Sequence, residues 1–97
     1  MTERIRIDKW LWCARFYRTR ALASAAASSG LIRLNGARVQ KPGTGVKMGD
    51  VVTLPGRDEV TVVRVTGFAP RRGPARAARS LYETVGNSDL EPRLPPA

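Results

Sequence analysis

The hydrophobic pattern of this chain changes period at Gly30, and shortly afterwards comes the dipeptide Asn35-Gly36. Before the glycine, apolar residues recur at helical spacing. After it, Ile32 and Leu34 alternate with Arg33, which is the spacing of a strand. Asn-Gly supplies adjacent residues that tolerate positive φ, as the tight turn of a two-residue hairpin requires. A helical unit followed at once by a hairpin points to an α+β domain.

Upstream, Asp8 is placed to cap a short helix over residues 9–17. Ile7, Trp10, Leu11 and Ala14 fall at i, i+3, i+4 and i+7 and form one apolar stripe, with Lys9, Trp12, Arg15 and Phe16 mainly on other faces. Thr19 can cap a second, Ala-rich helix over residues 20–29, closed by Gly30. The two helices are separated by so few residues that they must turn sharply against each other.

Downstream, residues 37–40 form the returning strand, 41–45 a Pro/Gly loop, 46–48 a lead into a Gly49-Asp50 turn, and 51–54 another strand. Residues 55–58 read as a turn and 59–66 as a Val-rich strand. Val60/Val62 and Val63/Val65 lie in opposite phases, which predicts a bulge or cover on both sides. Pro74 is suited to open a third helix through Tyr82 or Glu83. Residues 86–97, with three of the seven prolines, read as a loose tail. At 97 residues, one modest core is expected.

The charge distribution narrows the function. Lys+Arg outnumber Asp+Glu by 17 to 8, and the excess sits in the first half: residues 1–47 carry ten basic side chains and two acids. The second half is nearly balanced, with seven arginines and six acids. Such clustering favours a polyanionic partner.

Catalytic and metal chemistry lack their raw materials. There is no His, and the single Cys13 can form neither an internal disulfide nor a zinc site. Gly43-Thr44-Gly45 is followed by no Lys-Ser/Thr and fails as a phosphate loop. The expectation is a non-enzymatic binding module without cofactor or metal. A lone cysteine suits a reducing compartment. No apolar run approaches the roughly 20 residues that span a bilayer, and the charged residues 1–8 do not resemble a secretory signal. A cytoplasmic monomer without membrane contact is expected.

Three neighbouring segments can bring cations together. The first helix offers Arg6, Lys9 and Arg15; the inter-helix turn offers Arg18 and Arg20, with Thr19 between them; the hairpin offers Arg33 and Arg38 around Asn35-Gly36. Arg20 stands beside the free N–H groups opening the second helix, which favour phosphate. Guanidinium groups bind phosphate in a bidentate fashion and stack on bases. Trp12, between Lys9 and Arg15, either stacks on an unpaired base or packs against the C-terminal helix.

Arg6-Ile7-Asp8-Lys9-Trp10-Leu11, Thr19-Arg20-Ala21-Leu22-Ala23, residues 30–39 and Val46-Lys47-Met48-Gly49-Asp50 together resemble the S4-type RNA-binding domain, named for a primary rRNA-binding protein of the small ribosomal subunit. The resemblance covers about residues 5–54. It implies an α+β fold of the alpha-L type, with two N-terminal helices packed on a small, mostly antiparallel sheet and a short C-terminal helix. Asp8-Lys9-Trp10-Leu11-Trp12, residues 14–20 and residues 67–83 further resemble the heat-shock protein 15 family, although the long basic C-terminal extension of its longer members has no counterpart in this sequence. That resemblance implies binding to free large ribosomal subunits carrying a nascent chain on tRNA, for their rescue or recycling. It divides the chain into an RNA-binding domain (5–66), a basic loop and helix packing on it (67–85) and a flexible tail (86–97).

The RNA surface implied by the resemblance falls on Arg6, Lys9, Arg15, Arg18, Thr19, Arg20, Arg33, Asn35, Gly36 and Arg38, with Trp12 added as a stacking candidate. The expected target is folded rRNA, with tRNA as a further contact, read by shape and phosphate position. Two other readings stay open: a DNA-binding protein, because paired helices suit a major groove, and an RNA-targeting subunit of a separate RNA-modifying enzyme. A binder of anionic membranes fits less well, since the second helix lacks a charged face.

Overall fold

A computed structural model describes residues 3–55 and 60–87. It is α+β, with two N-terminal helices sharing one core with antiparallel strands.

Helix α1 spans Ile7–Cys13, shorter than the sequence suggests at its C-terminal end. Its N-cap is Arg6, whose side chain makes no capping bond, while Asp8 lies inside the first turn and is buried. The expected Asp8 cap is thus displaced by two residues. The helix stops because Arg15 adopts φ 66, bringing the Arg15 N–H to the Trp12 carbonyl (3.0 Å) and the Phe16 N–H to the Leu11 carbonyl (3.0 Å). These two bonds form a Schellman stop, normally built on glycine. Phe16 then turns back onto the core, with its ring 6.0 Å from Trp10 and 4.7 Å from Tyr82.

Helix α2 spans Arg20–Ser28, and the Thr19 hydroxyl accepts a hydrogen bond from the Leu22 N–H at 3.1 Å, as expected of the N-cap. Ala23, Ala26 and Ala27 are its buried residues, so small side chains let α2 pack closely into the shared core. Gly30, at φ +84, redirects the chain into the hairpin.

Strand β1 (Arg4–Arg6), not foreseen from the sequence, pairs antiparallel with β4 (Gly45–Lys47), placing Ile5 opposite Val46. The larger sheet runs β3 (Ala37–Arg38), β2 (Arg33–Leu34), β5 (Val51–Pro55), β6 (Val60–Val65), β7 (Tyr82–Asn87), all antiparallel. The phase conflict along β6 resolves as a register shift between Val62 and Val63 against β7. Ile7, Trp10 and Leu11 from α1 meet Ile32, Val46, Val52, Val63 and Val65 in the core.

The C-terminal part departs most from expectation. Helix α3 covers only Ala75–Ala78, followed by a 3-10 turn at Arg79–Leu81 and then β7. Residues 82–85, assigned from sequence to the helix end and the following connection, and Gly86-Asn87, assigned to the tail, instead complete the sheet by covering β6. Helical Ala-Arg composition concealed the β-branched Thr84-Val85 pair that suits a strand. The remaining tail, 88–97, and most of the expected 55–58 turn lie outside the described residues.

Candidate nucleic-acid interface

The first cluster is built on a buried carboxylate. Arg6 Nε and Nη2 donate to the two oxygens of Asp8 at 3.1 Å each, and Arg20 Nη2 from α2 approaches Oδ1 at 3.5 Å. The Asp8 side chain is only 4% exposed, whereas those of Arg6 and Arg20 are 55% and 42% exposed. Burial pushes the Asp8 carboxyl up, but the Arg6 hydrogen bond and the Arg20 and Arg6 charges outweigh it, leaving it below the usual carboxylate range. The same hydrogen bond holds the Arg6 guanidinium more firmly protonated. Each guanidinium has five N–H donors, so anchoring to Asp8 leaves others directed at solvent.

The second cluster is the hairpin. Asn35 (φ 53) and Gly36 (φ 87) make the predicted turn, and Arg33 stands directly opposite Arg38 on the paired strands. Asn35 serves the fold: its Oδ1 accepts from the Val51 N–H (2.8 Å), its Nδ2 donates to Asp50 (3.2 Å), and its own N–H reaches the Val51 carbonyl (2.7 Å). Asp50, also buried, accepts from the Lys47 N–H and Nζ. Burial raises its carboxyl, but the Lys47 and Asn35 hydrogen bonds overcome that and hold it low. Around Gly36 there is open space, and its carbonyl accepts from Arg33 Nη1 at 3.3 Å.

The clusters are joined. The Ile7 and Asp8 N–H groups bond to the Thr44 and Pro42 carbonyls, docking residues 41–44 on the start of α1. The Arg6 guanidinium lies 3.7 Å from where a Cβ on Gly43 would stand. At the other end, the Arg38 stem passes over Gly30, its Cδ 3.1 Å from the corresponding position. Contacts therefore run from Arg20 through Asp8 and Arg6 to Gly43, the backbone connects Gly43 to Arg38, and Arg38 meets Gly30 just past the helix that Arg20 opens. That helix places Arg20 and Ser28 about 12 Å apart at 1.5 Å per residue.

Lys9, Trp12 and Arg15 are set against residues 67–73. Lys9 lines an open depression of about 510 Å³ with Arg4, Ile5, Met48 and residues 67–70. Trp12 packs against the core, with the Arg72 guanidinium carbon 6.0 Å from its ring centre. Arg72 Nε also donates to the Trp12 carbonyl (3.1 Å) and Nη2 to the Tyr17 carbonyl (3.4 Å). Arg15 Nε donates to the Gly73 carbonyl at 3.0 Å. Arg18 is exposed, while the Thr19 hydroxyl is engaged as a cap. Asp8, Asp50 and Arg72 carry structural weight that no local sequence signal marks, since each acts through residues brought close only by the fold.

Cys13 is buried, and burial raises its thiol pKa, as suits packing more than reactivity. Among the described residues no helix is long and apolar enough to cross a membrane.

Comparison with known proteins matches residues 5–52 to the S4 domain. Heat shock protein 15 of Escherichia coli K12 is 45% identical over 85 residues, covering 87% of this chain and 62% of that protein. A heat shock protein 15 homolog from Aeromonas salmonicida is 43% identical over 83 residues, covering 84% and 61%. The chain thus spans about three fifths of the length of these curated relatives. A solved trimeric structure of Vibrio cholerae heat shock protein 15 superimposes with a TM-score of 0.80 at 36% identity, covering 86% of this chain and 83% of that one.

Proposed function

The chain belongs to the heat shock protein 15 family, and from that premise we propose that it binds structured ribosomal RNA through the face formed by α1, α2 and the Asn35-Gly36 hairpin. The observation that carries this reading is the pair of guanidiniums, Arg6 and Arg20, held on one buried carboxylate and linked by residues 37–44 to Arg33 and Arg38. A cation fixed in place loses less side-chain freedom when it meets a phosphate than a freely rotating one. Arginines so held favour recognition of backbone position, and A-form grooves offer side chains little sequence to read.

The finer assignment is to free large ribosomal subunits that carry a nascent chain on tRNA, where the protein acts in the cytoplasm as a rescue or recycling factor without catalysis or cofactor. Lys9, Arg15, Arg18, Thr19 and the Gly36 backbone belong to this surface as flanking contacts. Trp12, packed under Arg72, and Asn35, bonded to Val51 and Asp50, hold it in shape. The solved Vibrio cholerae relative is a trimer, so the monomeric state expected from sequence is not carried into this proposal.

Duplex DNA is less well served. Helix α2 exposes Ala21, Leu22, Ala25 and Ser28, a face without the Arg, Asn or Gln that read bases in the major groove.

Sucrose-gradient sedimentation of the tagged protein from bacterial lysate tests the assignment. Co-migration with free large subunits, lost in the Arg20→Ala/Arg38→Ala variant, is expected. Migration at the top of the gradient, or with an enzyme and no ribosomal particle, overturns it.

A further inference from the structure

The segment between β6 and β7 lies outside the matched domain, contains four arginines (Arg71, Arg72, Arg76 and Arg79) and has no acid. The near-neutral charge of the second half of the chain conceals this, because its acids lie elsewhere, at Asp50, Asp58, Glu59, Glu83, Asp89 and Glu91. Among the described residues, the ion pairs use Arg6, Arg20, Lys47 and Arg64. None uses Arg71, Arg76 or Arg79, and Glu83, the nearest acid in sequence, is taken by Arg64.

The segment is also firmly seated. Trp10 Nε1 donates to the Gly67 carbonyl at 3.1 Å, and the Thr66 and Gly67 N–H groups both reach the Leu81 carbonyl. Gly67 approaches the chain so closely that a Cβ there would stand 2.9 Å from the Ser80 carbonyl oxygen. Arg72 turns inward as a strap over Trp12 and onto the turn between α1 and α2, and Arg15 reaches out of that turn to hold Gly73. With Arg72 used this way, Arg71, Arg76 and Arg79 are left exposed. Arg76 and Arg79, three residues apart across α3 and the 3-10 turn, share a side, while Ala78 is buried. The strap bonds Arg72 to the Tyr17 carbonyl, so the segment that carries this array adjoins the turn that carries Arg18, two residues from Arg20 of the first face.

We propose that Arg71, Arg76 and Arg79 form a second RNA-contact surface, which grips the phosphate backbone of the same RNA beyond the stretch held by the S4 face. The proposal rests on the RNA-binding reading above and extends it to residues outside the matched domain. Among the described residues these guanidiniums pair with no acid, and the segment that holds them contains none, so they give it a positive field. Phosphate is the chemistry that field recognises, and planar donors engage it in bidentate fashion.

The test uses the full chain, purified bacterial large-subunit rRNA and a salt series. The Arg71→Ala/Arg76→Ala/Arg79→Ala variant is expected to melt close to the parent and to bind roughly tenfold more weakly. Its plot of log affinity against log salt should be shallower by about two to three, near one per phosphate contact removed. The matching triple lysine variant retains charge and should recover most of the slope, which separates charge loss from any change in folding. If the alanine variant binds with parental affinity and slope while Arg20→Ala/Arg38→Ala is weakened, the second surface is wrong and the first reading stands. Parental binding by both variants overturns both readings. An alanine variant that binds naked rRNA normally but no longer sediments with whole large subunits assigns the surface to a ribosomal protein and overturns the RNA assignment.

Discussion

Arg20, the first residue of α2, and Asp8, in the first turn of α1, meet at 3.5 Å, so the two helices are tied together where both present cations. The carboxylate shares its other contacts with Arg6. A buried negative charge at the middle of a cationic face is counterproductive for simple attraction of a polyanion. It makes sense as the fixture that positions two guanidiniums.

Asp8→Asn separates these accounts. The variant is one charge more positive, so attraction alone predicts tighter RNA binding. Positioning predicts weaker binding, by about tenfold or 1.4 kcal/mol, measured by titration with large-subunit rRNA at fixed salt.

Acid sensitivity follows from two carboxylates. Asp8 and Asp50 both titrate below their unfolded value of 3.8 in the fold. A depressed folded pKa means that the unfolded chain binds protons first, so the stability these groups contribute is present above 3.8 and is lost as pH falls through the lower folded values. Urea unfolding between about pH 6 and pH 2 should show this loss. An Asp50→Asn variant should start less stable at neutral pH and lose less on acidification.

The two turn glycines should respond differently to alanine. Gly36 has φ +87 in open space, so Gly36→Ala should cost only the strain of left-handed backbone, about 1–2 kcal/mol. At Gly30 (φ +84) the added methyl also meets Arg38 Cδ at 3.1 Å. Gly30→Ala should therefore displace the Arg38 stem and weaken RNA binding as well as stability. Paired melting and binding curves of the two variants check the contrast.

Thr19→Ala should cost about 1 kcal/mol through loss of the bond to the Leu22 N–H. Thr19→Ser should retain most of that stability, as read from urea midpoints.

Elements signalled by local chemistry were legible in the sequence. Thr19 and Gly30 bracket α2, Asn35-Gly36 makes the hairpin, and the opposed valine phases of β6 mark the bulge. What escaped depended on distant contacts. Arg15 takes a backbone conformation usually left to glycine, with its side chain held by Gly73, so α1 ends before the residue pattern suggests. Strand β1 is three residues long and exists through β4, and β7 exists through β6. Cation placement was legible segment by segment. That Asp8 gathers Arg6 and Arg20, or that Arg72 covers Trp12, required the fold.

On the proposed reading, cations of α1, α2 and the hairpin contact one RNA backbone. The salt dependence of rRNA binding by Arg20→Ala/Arg38→Ala tests it most directly, with Arg64→Ala as control because Arg64 is engaged with Glu83 on the sheet. Weaker binding and a slope shallower by about two are expected of the double variant, with the control unchanged. Parental affinity and slope in the double variant would contradict that reading.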